Sequence, residues 1–280
     1  MNFSQHMDRQ ATELNQLARL LFDRAASRWQ WSIGLSFASG MVVLCLSIVA
    51  PSLTSNAIFA GIAAAILAVG YYLRFSFESC YDDAETMRRQ SVLSEGLGWP
   101  IERSQFNEWR QRAGGKLLKI AAANPRPLDY YATGEPAGPK RLAEMTFESL
   151  FWTKNLYRKI QYYLIVTMLL TLFLFAGILF IMPLFSLQES TRVALIYFIY
   201  LAIPVLVSVD LLGMYLRLQR AITSLCSIEK RLEQLASAAS TNEGEALRSV
   251  AEYNCTVATG LPIPNWVFKR HKAEIESFWS

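Results

Sequence analysis

Four apolar segments, arranged as two pairs, constrain this chain more than any other feature. They cover residues 31–50, 56–73, 162–185 and 193–216, and Asp210 is the one charged residue inside them. A helix needs about 20 apolar residues to cross the hydrocarbon core of a bilayer, and each segment is close to that length. The composition agrees, since 52% of the 280 residues are hydrophobic and the excess sits in these blocks. The expected fold is therefore an all-α integral membrane protein, with four transmembrane helices in two hairpins and a helical cytoplasmic domain. Two buried helical hairpins in a globular core are the alternative reading of the same pattern.

Charge placement gives an orientation. All of the 27 Lys and Arg residues except Arg192 lie before the first segment, between the second and third, or after the fourth. The short connectors, 51–55 and 186–192, hold Arg192 beside Glu189 and no other basic residue. By the positive-inside rule both termini and the long insert are expected in the cytoplasm. The polar first thirty residues fit a cleavable signal badly, so the first segment reads as an uncleaved signal anchor. A net charge of +4 is too small to suggest a nucleic acid polymer as partner, and suits attraction to anionic lipid.

The expected organisation follows chain order. Residues 1–30 form an N-terminal amphipathic cytoplasmic helix, with Leu14, Leu17, Leu20 and Leu21 at helical spacing. Residues 31–74 form the first transmembrane hairpin and 75–161 a cytoplasmic helical insert. Residues 162–216 form the second hairpin and 217–280 a cytoplasmic helical tail. Within the insert, helices are expected over 103–113 and 115–123, then a Pro- and Gly-rich loop over 124–139, then a helix running into the third segment. In the tail, Leu218, Ile222, Leu225, Ile228, Leu232 and Leu235 repeat at spacings of three and four, and Asn265 is a plausible N-cap for the last helix.

The sequence holds little that points to reactive chemistry. The two histidines, His6 and His271, lie near opposite ends, and no metal-ligand spacing surrounds either. Gly114-Gly115-Lys116 resembles the tail of a phosphate loop, but Arg110 stands where its first glycine belongs and Leu117 replaces the magnesium-binding hydroxyl. Cys45, Cys80, Cys226 and Cys255 form no CxxC pair, so free thiols are expected. Asp82, Asp83 and Glu85 read as a solvated helix face, or as a cation-binding mouth. Neither an enzyme nor a cofactor is expected.

Two groups of residues suggest other functions. Asp210 lies inside the fourth segment, six residues after Pro204, which should kink the helix. Asp210 either snorkels to the interface or, with Pro204, lines or gates an aqueous path. Before the third segment, Lys140, Arg141, Trp152, Lys154, Tyr157, Arg158 and Lys159 mix bases with aromatic rings. That mixture can hold a phosphate-bearing, stackable ligand, or can simply be a juxtamembrane belt. In the second segment, Ala57, Gly61 and Ala65, and also Ala60, Ala64 and Ala68, repeat every four residues, a spacing that allows close helix packing or self-association.

Three stretches add a resemblance. VLSEGLGWP over 92–100, FESLFWTKNLYRKI over 147–160 and LPIPNWVFKRHKAEI over 261–275 resemble segments of the S-4TM pore-forming effectors, as does the layout of the whole chain. Trp99-Pro100 stands in the reverse of that family's usual order. The resemblance implies an effector of nucleotide-signalled anti-phage defence. In that setting a partner nucleotidyltransferase makes a cyclic oligonucleotide, and a homo-oligomeric effector breaches the lipid bilayer. The rival expectation is a membrane-anchored sensor or scaffold that conducts nothing.

Overall fold

The computed structural model describes residues 3–49, 57–124, 131–184, 210–238 and 240–279. Among these residues the chain is all-helical, with eight helices and no strand. They are α1 (Phe3–Val49), α2 (Ala57–Leu97), α3 (Arg103–Ala113), α4 (Gly115–Ala123), α5 (Pro139–Leu184), α6 (Leu211–Ser237), α7 (Glu243–Ala258) and α8 (Asn265–Trp279). Arg192, Pro204, both short connectors, residues 125–130 of the long loop and most of the fourth apolar segment lie outside the described residues.

The expected set of four transmembrane helices is corrected. Among the described residues no helix is long and apolar enough to cross a membrane. The all-helical class stands, while four membrane-crossing helices are not found among the described residues.

The chain divides into two compact units. Unit 1 contains residues 1–26, 77–159 and 217–280; unit 2 contains 27–76 and 160–216. In unit 1, burial of one apolar stripe per helix organises the packing. Leu14, Leu17 and Leu21 of α1 meet Tyr81, Ala84 and Met87 of α2, together with Phe106 and Trp109 of α3 and Leu117 of α4. A second cluster joins Val92, Leu142, Met145, Ala246 and Val250. In α6, Leu218, Leu225 and Leu232 recur every seven residues and are fully buried.

Breaks between helices have local causes. Gly98 closes α2 in the left-handed region, φ 74°, and donates to the Ser94 carbonyl at 2.9 Å. Gly114, φ 82°, separates α3 from α4, so the phosphate-loop-like glycines serve a helix junction. Asn242 caps α7 by accepting from the Glu245 N–H. Asn265 is already helical, because the Pro264 carbonyl accepts from Val267 and Phe268; the expected cap position thus falls one residue earlier.

Unit 2 contains an antiparallel pair from α1 and α2. Arg28 Nη1 donates to the Ser76 carbonyl at 3.0 Å, and Ser39 Oγ donates to the Ala63 carbonyl at 3.2 Å. Between these, a Cβ on Gly70 would already touch Ser32 and Ser36 at 3.5 Å. Small residues therefore bring the helices together, Ala63 and Gly70 of α2 against Ser32, Ser36 and Ser39 of α1. Gly61, Ala64, Ala65 and Ala68 face outward, and a Cβ on Gly34 or Gly61 would meet nothing within 4 Å.

Leu17 is completely buried at the centre of the first cluster. Leu17→Ala is expected to cost about 2–5 kcal/mol, measured as a lower midpoint in chemical denaturation.

Candidate functional site

A cavity of about 250 Å³ opens within unit 1 among α1, α2, α5, α7, α8 and the turn before α8. Helical spacing delivers its wall. Ala18, Arg19 and Phe22 come from adjacent turns of α1, Tyr81, Glu85 and Arg88 from one face of α2, and Thr153 and Tyr157 from α5. Tyr253 arrives from α7 and Phe268 from α8, while Pro262 holds the intervening turn.

A buried ion pair sits in the wall. Glu85 is 4% exposed and meets Arg88 at 2.9 Å and Arg89 at 3.5 Å. Arg88 Nη2 also donates to Asn254 Oδ1 at 2.8 Å, and its guanidinium lies 5.3 Å from the centre of the Tyr253 ring. Burial alone would lower the Arg88 pKa, but attraction and hydrogen bonding to Glu85 outweigh it and raise it. Two phenols have assigned partners. Tyr81 donates to the Val257 carbonyl at 3.2 Å, and Tyr253 lies 3.0 Å from Thr153 Oγ1. Burial pushes the Tyr81 and Tyr157 phenols well above their ordinary range, so both stay protonated at neutral pH. Near the mouth, Arg19 stacks over Phe268 at 5.3 Å. Burial raises the Asp23 carboxyl pKa, against the opposing pull of Arg19 and Lys269.

Most residues singled out in the sequence lie elsewhere, Glu85 and Tyr157 excepted. Lys140 pairs with Glu135 at 2.7 Å, and Arg141 donates to the Glu135 carbonyl and reaches Glu95 at 3.6 Å. Lys154 is buried against Glu229, and Arg158 approaches Cys226 Sγ at 4.0 Å. Trp152 packs against Phe268, 5.8 Å between ring centres, which brings it next to the cavity without lining it. These five residues form no common site. Asp210, φ 50°, accepts from the Gly213 N–H at 3.0 Å and caps the start of α6.

The acidic cluster also departs from a solvated face. Glu85 belongs to the cavity wall and Asp83 pairs with Arg112 at 2.9 Å. Among the described residues, no three His, Cys, Asp or Glu side chains gather as a metal site. The cavity residues lie on five separate elements, so the sequence points to Glu85 and Tyr157 but not to their neighbours. Their one local signal is the i,i+3 spacing of Glu85 and Arg88 on an otherwise apolar helix face. No family model, curated protein or solved structure matches this chain.

The Asp23 shift gives a test. Its folded-state pKa lies above the ordinary 3.8, so the charged carboxylate costs stability at neutral pH, and that cost disappears as pH falls below about 3.8. Asp23→Asn is therefore expected to raise Tm at pH 7, with the gain fading on acidification. Thermal unfolding of both proteins across the carboxylate range reads it.

Proposed function

We propose that the chain is an effector that acts on a lipid bilayer through unit 2, under the control of a small ligand held by unit 1. The apolar surface of unit 2 carries this reading. Trp31, Tyr71, Tyr72, Phe75, Leu170, Leu172 and Phe173 are all exposed. Large apolar side chains left outside mark contact with lipid or with another protein. Indole and phenol rings favour the bilayer interface, and Arg28 and Arg74 lie beside them on α1 and α2. Each such base attracts anionic headgroups by about 1 kcal/mol.

The resemblance to the S-4TM effectors supports the same direction. In that reading the setting is a bacterial inner membrane, the active form is a homo-oligomer, and the signal is a cyclic oligonucleotide supplied by a partner nucleotidyltransferase. Breach of the bilayer then halts growth of an infected cell. A ligand can favour the active form only by its greater affinity for it. One observation favours a second reading, a sensor or scaffold that binds membrane without opening it. One Asp210 carboxylate oxygen accepts from the Gly213 N–H at the start of α6, a helix-capping bond that a non-conducting protein would use equally well.

Vesicles containing anionic lipid and a trapped dye separate the two. The full chain is expected to sediment with them, and a Tyr72→Asp, Phe75→Asp double variant to bind at least about tenfold more weakly, since a charge at the hydrocarbon edge costs more than 1.4 kcal/mol. Dye release on addition of a cyclic oligonucleotide supports the effector; sedimentation without release under any such ligand selects the scaffold. Failure of the wild-type chain to sediment with anionic vesicles would sink both.

A further inference from the structure

Asp23 holds a place in the cavity wall that the fold alone does not explain. It is half-buried, and among the described residues no hydrogen bond or close ion pair joins it to a partner. Arg19 and Lys269 attract it from farther away, but loss of water outweighs their pull, so its charge is held at a cost. An amide or an apolar side chain at this position would avoid that cost. Features that weaken a fold gather at functional sites.

The surrounding wall defines what Asp23 can serve. Most other polar groups are already engaged. Glu85 meets Arg88 and Arg89, and Arg88 also holds Asn254. Tyr81 donates to the Val257 carbonyl, and Tyr253 shares a bond with Thr153. Asp23 is left as an acceptor that a guest can reach. The formal charges of the lining cancel, Arg19 and Arg88 against Asp23 and Glu85. An ammonium brought to Asp23 meets Arg19 and Lys269 beside it, and an acid meets Asp23 itself, so each ionic guest is opposed. The guest that fits is uncharged and donates a hydrogen bond. Phe22, Tyr81, Tyr253 and Phe268 supply aromatic walls suited to a flat ring, and Leu261 and Pro262 add apolar surface. At about 250 Å³ the space is smaller than the roughly 300–1,000 Å³ of pockets for drug-sized ligands, which limits the guest to a single small ring system.

We infer that this cavity is a binding site for a small uncharged aromatic molecule, whose ring lies against the aromatic walls and whose N–H or O–H donates to the Asp23 carboxylate. The inference goes beyond the proposed function and requires neither a membrane nor a nucleotide. It is read by binding in the absence of lipid, so its failure is distinct from failure of the vesicle experiment.

Calorimetric titration of the full chain with indole and with phenol is expected to show saturable one-site binding. Benzofuran, which has the shape of indole without the N–H, should bind at least about tenfold more weakly. Asp23→Ala should weaken indole about tenfold or more, as for loss of a hydrogen bond to a charged group, without weakening benzofuran. Its unliganded Tm at pH 7 should be unchanged or higher, which separates lost binding from lost folding. Tryptamine and indole-3-acetate put an ammonium and a carboxylate on the same ring system, and each should bind more weakly than indole. Absence of saturable binding by both indole and phenol, equal affinities of indole and benzofuran, equal affinity of wild type and Asp23→Ala for indole, or tighter binding of either ionic analogue than of indole would each overturn the proposal.

Discussion

Unit 1 is arranged around a buried carboxylate, Glu85. Removing Glu85 from solvent costs several kcal/mol unless a cation accompanies it, and Arg88 lies one helical turn away to do so. Arg88 is then committed as well, and its second bond, to Asn254, fixes α7 against α2. Tyr253 follows on α7 with its ring under the guanidinium, and Thr153 of α5 takes up the Tyr253 hydroxyl. One buried charge thus determines which faces of three helices meet. The apolar clusters beside it supply most of the favourable free energy, but burial alone would tolerate more than one register.

Helical periodicity and turn residues were legible in the sequence, and the cavity was not. The helices at 103–113 and 115–123 begin and end as expected because their breakers are local, Gly114 above all. The leucines of α6 likewise fall on one buried stripe. In contrast, Arg19, Tyr157 and Tyr253 join Glu85 and Arg88 only through tertiary packing. Lys140, Arg141, Lys154 and Arg158 attracted notice through local density of charge. The structure distributes them among acids and a thiol, which is the usual fate of bases on a helix that packs on others.

The expectation of four spans is overturned as well, because among the described residues no helix is long and apolar enough to cross a membrane. The small-residue repeats show a limit of spacing. Their spacing in α2 is regular, but contact with α1 is made by Ala63 and Gly70, on a different face. Which of several small stripes meets a partner depends on the rotation of the helix, a quantity that spacing alone does not contain.

A proton inventory of the cavity wall leads somewhere less obvious. A hydroxyl has one proton to give, and Thr153 gives its own to the Ser149 carbonyl one turn back along α5. The bond it shares with Tyr253 must therefore be filled from the tyrosine side. Tyr81 similarly directs its proton to Val257. Both phenols turn their protons toward backbone-anchored acceptors, so their direction is set by the helices before any occupant enters. The wall is in this sense prepolarised, and a guest meets a fixed pattern of lone pairs and donors instead of hydroxyls free to rotate toward it.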